Sequence, residues 1–171
     1  MEWYITTSKM KYEEARPLIK SGDLLAWTHK PWSSLYDLKI QLVRFFTRSE
    51  YSHVAIAWVI GERVFVIEAV IPLIRIYPLS KLGNFYWLPM DVKWNKETEA
   101  LALSKIGERY STFDAIKAYF TKLEYDSRWE CAEFVAKVLE YEGIDLGTEY
   151  IPSLIVEKAM LLGKPVHLVT Q

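Results

Sequence analysis

Ser52-His53-Val54-Ala55-Ile56-Ala57-Trp58-Val59-Ile60-Gly61-Glu62-Arg63-Val64-Phe65-Val66-Ile67-Glu68-Ala69-Val70 is the stretch on which the reading of the fold turns. Val54, Ile56 and Trp58 alternate through a strand over 52–60, and a second strand runs from Arg63 to Val70. Gly61-Glu62 between them reads as a two-residue hairpin turn. Such a turn pairs Ile60 with Arg63 and His53 with Val70. His53 then shares its face with Ala55 and Ala57, and Glu68 falls on that same face. A slip of one residue would destroy this parity and a slip of two would keep it. The small residues beside His53 leave room for another element on that face.

Glu68 interrupts an otherwise apolar strand, where a carboxylate is costly to bury unless paired. Two partners compete for it. An ion pair with Arg63, Arg75 or Lys81, or an exposed strand edge, would make it ornamental. A pairing with His53 would give the imidazole–carboxylate couple that orients a general base. His53 has a plain reading too, as a half-buried structural histidine. His29, beside Lys30-Pro31, is expected in a solvent-facing turn, and His167 lies near the C-terminus.

Outward from the hairpin, Leu24-Leu25-Ala26-Trp27 reads as a strand after the turn Ser21-Gly22-Asp23. Ile74 to Tyr77 and Phe85 to Leu88 extend the hairpin into an antiparallel meander. Lys11 to Lys20 is a short polar helix candidate, and Ser33 or Ser34 begins a helix to about Phe46. Helical spacing recurs over Lys96 to Gly107, from Ser111, and from Pro152 to about Leu162. Val166 to Val169 suggests an edge strand. Strands in one block and helices in another indicate an α+β fold. No repeat, low-complexity tract or linker divides residues 1–171, so a single domain is expected.

The one cysteine of the chain lies in Ser127-Arg128-Trp129-Glu130-Cys131-Ala132-Glu133-Phe134-Val135. Ser127 and Glu130 have capping-box spacing at the start of a helix ending at Gly143. Phe134, Val135, Val138 and Leu139 recur on one stripe, and Cys131 lies on it, so its sulfur is expected to face inward. A lone buried cysteine usually fills space. Near a helix N-terminus and a base, however, a cysteine gains thiolate character and becomes a candidate nucleophile.

Composition narrows the classes. The chain has 171 residues, 51% hydrophobic and 25% charged, which is ordinary for a globular domain. A net charge of −1 offers no electrostatic case for nucleic acid or an anionic membrane. One cysteine argues against a disulfide-built secreted protein. The N-terminus does not read as a signal peptide, and no apolar run is long enough for a spanning helix. A cytoplasmic protein without stable membrane insertion is therefore expected.

Together these segments resemble the circularly permuted branch of NlpC-type papain-fold cysteine hydrolases, the YiiX/YaeF-like proteins. The resemblance is carried by Gly22-Asp23-Leu24-Leu25, Tyr51-Ser52-His53-Val54-Ala55-Ile56, Val66-Ile67-Glu68-Ala69, Gly107-Glu108-Arg109-Tyr110 and Trp129-Glu130-Cys131-Ala132-Glu133-Phe134-Val135. It extends from about Ser21 to about Leu146, with histidine before cysteine as in the permuted branch. Ala132 stands where the family commonly has Ser, and Trp129 is unusually bulky. The resemblance implies a meander sheet packed against a helical layer that carries the cysteine. It implies Cys131 as nucleophile, His53 as general base and Glu68 as the group orienting His53. The Cys131 N–H would be an oxyanion donor, and Tyr110 would place its hydroxyl near the site. The activity implied is that of a cysteine peptidase or amidase, a thiol protease in the broad sense, passing through a thioester acyl-enzyme. Its substrate would be a small peptide, amide or acyl compound, with no cofactor and no metal. A lipid acyltransferase or thioesterase on the same scaffold, or a binding module that lost turnover, are the alternatives.

Overall fold

A computed structural model of the chain describes residues 8–28, 51–109 and 130–171. The helices expected from Ser33 or Ser34 and from Ser111, together with His29, Tyr110, Ser127 and Trp129, lie outside the described residues. The elements are β1 (Ser8–Lys11), α1 (Tyr12–Ala15), β2 (Leu24–Trp27), β3 (His53–Ile60), β4 (Arg63–Val70), β5 (Leu73–Pro78), β6 (Phe85–Leu88), α2 (Lys96–Ser104), α3 (Cys131–Tyr141), α4 (Pro152–Leu161) and β7 (His167–Thr170). The strands form one seven-stranded sheet in the order β1-β7-β6-β2-β3-β4-β5. All neighbours are antiparallel except β1 and β7. The α+β expectation therefore holds.

The meander is shorter than the sequence suggests. β3, β4 and β5 follow one another as consecutive hairpins, but β6 crosses to the other side of the sheet and pairs with β2 and β7. Nothing local in Phe85 to Leu88 announces that crossover, because strand spacing specifies a pleat and not a neighbour. β7 is not an edge strand either. It lies between β6 and β1, a strand at Ser8 to Lys11 that the sequence reading passes over. The β3–β4 ladder runs from Ile56↔Ile67 to Ile60↔Arg63, which is the register a two-residue Gly61-Glu62 turn requires.

Both faces of the sheet are buried. One carries Leu24, Ala26, Val54, Ile56, Ile67 and Ala69, covered by the apolar sides of α3 and α4 through Phe134, Val135, Leu139, Ile155 and Val156. The other carries Leu25, Ala55, Ala57, Val64 and Val66, covered by Ala15 and Ile19. The short helix after Lys11 thus occupies the room beside the small residues of β3. The cysteine helix lies on the opposite face. α3 has Cys131, Ala132, Phe134, Val135, Val138 and Leu139 all buried, as its stripe predicts. It closes with Gly143 in the left-handed region (φ +81°), where a side chain would be strained. Gly143 N donates to Glu140 O and Ile144 N to Leu139 O, satisfying carbonyls of the last turn.

Just before β2, Gly22 adopts φ +90° with its missing Cβ facing Val92 and Trp94. Asp23 beside it is buried and accepts from Lys20 N, Trp87 Nε1 and Met90 N at 2.9, 2.8 and 3.0 Å. Burial pushes the Asp23 carboxyl up, against the pull of these donors. The Gly-Asp pair of the sequence motif is therefore a structural latch between β2 and the segment after β6.

Candidate active site

The site is built on the opening end of β3. Between His53 and Ala55, β3 lies beyond its ladder with β4. There His53 pairs with Trp27 of β2, while Glu68 pairs with Arg75 of β5. β3 and β4 thus part at this end, each keeping its other neighbour. Alternation assigns both His53 and Glu68 to the face opposite the cysteine helix. The parted end is where a sulfur from one face meets an imidazole from the other.

His53 Nε2 donates to Glu68 Oε2 at 2.7 Å. The imidazole also makes a side-chain hydrogen bond with Cys131. With Nε2 committed to Glu68, Nδ1 is the nitrogen left for the sulfur. The His53 side chain is 23% exposed and that of Glu68 only 3%. Trp27 lies against the imidazole with ring centroids 5.4 Å apart. Burial alone pushes the His53 pKa down, but the hydrogen bonds from Cys131 and Glu68 and their charges outweigh it. The imidazolium is held up to about 10. For Glu68, burial pushes the pKa up, and the hydrogen bonds and charges of His53 and Arg75 overcome it, leaving the carboxyl below its ordinary value.

The two readings of Glu68 turn out to be compatible. Its second oxygen, Oε1, accepts from Arg75 Nε at 2.9 Å and lies 2.8 Å from Arg75 Nη2. One oxygen serves the histidine and the other the arginine. The Arg75 guanidinium stacks over Tyr77, 4.6 Å from the ring centroid. Arg75 is directly opposite Glu68 in the β4–β5 ladder. The signal was present in the sequence, because a two-residue Ile71-Pro72 turn places Arg75 across from Glu68. Trp27 had no such signal; it reads only as the end of an apolar strand.

Cys131 is the first helical residue of α3 and is buried. Its N-cap is Glu130, so Glu130 is not the first-turn residue that the expected box requires, and Ser127 lies outside the described residues. The correction moves Cys131 closer to the helix terminus than that box would place it. The first helical bond is donated by Phe134 to Glu130 O, so the Cys131 N–H precedes the ladder. Tyr110 lies outside the described residues. Among the described residues, then, the fold brings Cys131, His53 and Glu68 together and adds Arg75.

No family model matches the sequence, and no curated protein matches it. A solved structure does share its architecture. The crystal structure of the metalloprotein YiiX from Escherichia coli O157:H7 aligns with a TM-score of 0.54 over 75% of this chain and 69% of that one, at 23% identity. The fold is YiiX-like. This gives the YiiX side of the sequence resemblance a structural counterpart at the level of architecture. YiiX is named a metalloprotein; among the described residues of this chain, no three His, Cys, Asp or Glu side chains group to hold a metal ion. Among the described residues, no helix is long and apolar enough to cross a membrane.

Proposed function

We propose that this protein is a papain-like cysteine hydrolase that cleaves an amide or peptide bond through Cys131, His53 and Glu68. The observation that carries the reading is the continuous contact from the Cys131 side chain through the His53 ring to Glu68, at the N-terminus of a helix.

In this reading His53 carries the proton of the pair, and the Cys131 sulfur attacks the carbonyl carbon of the substrate. The developing oxyanion faces the Cys131 N–H, which the start of α3 leaves outside the helical ladder. His53 then gives its proton to the leaving amine, and the carbon–nitrogen bond breaks to leave a thioester on Cys131. Water enters, His53 takes a proton from it, and the thioester is hydrolysed. Glu68 holds the ring so that Nδ1 stays on the sulfur, and it stabilises the imidazolium.

Iodoacetamide labelling followed by mass spectrometry tests the pair. Cys131 should label rapidly near neutral pH, and His53→Ala should slow labelling by at least tenfold. Ordinary labelling that is unchanged in His53→Ala would instead support a binding module that keeps the fold. A panel of amide, ester and thioester probes then reads the bond. Amide turnover with a hydroxylamine-trapped acyl-enzyme is expected. Turnover confined to thioesters and esters would assign the scaffold to acyl-lipid chemistry.

A further inference from the structure

We infer that Arg75 is a positioning residue of this site, acting through Glu68 to keep the reaction's proton on the histidine–cysteine side. The inference rests on the hydrolase reading above. Its starting point is a difficulty in that mechanism. Each time His53 hands its proton away, the buried Glu68 faces a neutral imidazole. A buried carboxylate in that position is poised to become protonated and to abandon its orienting role.

Arg75 answers this difficulty through its geometry. Nε and Nη2 converge on Oε1 alone, at 2.9 and 2.8 Å, and leave Oε2 for His53. A guanidinium fork makes that double contact, and a lysine ammonium would meet the same oxygen as a single point charge. The fork is itself fixed. Its backbone is opposite Glu68 in the ladder, and its plane rests on the Tyr77 ring. The side chain is 43% exposed, so its charge is solvated on one edge while the other reaches the buried oxygen. Among the described residues, the charged groups acting on Glu68 are His53 from β3 and Arg75 from β5, with Cys131 of α3 acting on His53. When His53 is neutral, Arg75 is, among the described residues, the cation left to hold Glu68 ionised.

Two variants test this on the whole chain, read by carboxyl ¹³C NMR of Glu68. In His53→Gln, which mimics the neutral histidine, Glu68 should still be ionised at neutral pH. A Glu68 carboxyl protonated at neutral pH in that variant would show that Arg75 does not hold it and would overturn the proposal. In Arg75→Gln the Glu68 midpoint should rise by at least one pH unit, with Arg75→Lys falling between it and the wild type. Amide turnover at neutral pH should drop at least tenfold in Arg75→Gln while iodoacetamide labelling changes less than threefold, because labelling needs only the resting pair. An unchanged Glu68 midpoint in Arg75→Gln would equally overturn the proposal. If Arg75→Gln does not fold, the His53→Gln titration decides alone. Failure of the hydrolase reading looks different, since it would appear as His53-independent labelling whatever Glu68 does.

Discussion

Replacing Cys131 with alanine should release the His53 proton, and the size of that release follows from the site. The imidazole is raised from 6.5 to about 10, with Cys131 the larger of the two upward influences and Glu68 the smaller. At about 1.4 kcal/mol per pH unit, the fold prefers the imidazolium by about 5 kcal/mol. Cys131→Ala should therefore lower the His53 midpoint by more than Glu68→Gln does. In both variants burial keeps pulling it down. The assay is a ¹H–¹⁵N titration of the His53 ring from pH 5 to 11 in the three proteins. The sign of the linked stability is fixed. Because the folded value lies above the ordinary one, the contribution is fully present below about pH 6.5 and disappears as pH rises through about 10. Denaturant unfolding of the wild type should thus weaken over that window relative to His53→Gln. A wild-type midpoint near 6.5, or one that Cys131→Ala leaves in place, would refute the contact on which the site is argued.

Turnover of an amide substrate should keep its alkaline limb near pH 10, where His53 loses the proton meant for the leaving group, and a limb near 6.5 would contradict this. Glu68→Gln should cut turnover by about 10²- to 10⁴-fold, because the neutral amide no longer supports the imidazolium, with steady-state kinetics as the check. Phe134→Ala should cost about 3–5 kcal/mol in denaturant unfolding, since the ring is 1% exposed between helix and sheet. Gly22→Ala should lower stability by roughly 2–4 kcal/mol, because the new methyl meets Val92 at a left-handed φ, and a thermal midpoint equal to wild type would be inconsistent with that packing.

How much of this was legible follows from what each signal measures. The β3–β4 register was readable because a two-residue turn and a period-2 pattern leave one parity, and that parity put His53 and Glu68 side by side. Arg75 was visible only as a competitor for Glu68, because sequence treats partners as exclusive while a carboxylate has two oxygens to give. The helix that carries Cys131 was readable from its stripe, but its face of the sheet was not. Small residues at Ala55 and Ala57 mark room without saying what fills it, and the short helix before Ile19 fills it instead. The place of β6 and β7 in the sheet was equally hidden, since strand order is decided by long-range pairing.

These differences in legibility match a division within the site itself. His53, Glu68 and Arg75 belong to β3, β4 and β5, three consecutive strands joined by tight turns. Their contacts close over short loops, which is the inexpensive kind of closure. Cys131 arrives from a helix almost eighty residues downstream of His53 and on the other face of the sheet. The polar half must therefore be self-consistent without the sulfur. Glu68 is 3% exposed, and a carboxylate buried that deeply beside a histidine alone would depend on that histidine staying charged. Arg75 removes the dependence, so the meander can bury its carboxylate whether or not the cysteine helix has docked. In the proposed hydrolase mechanism the same independence would let His53 exchange its proton with Cys131 and a leaving group without disturbing the strand beneath it. A proton relay and a foldable hairpin place the same demand on Glu68, and one arginine across the ladder meets both.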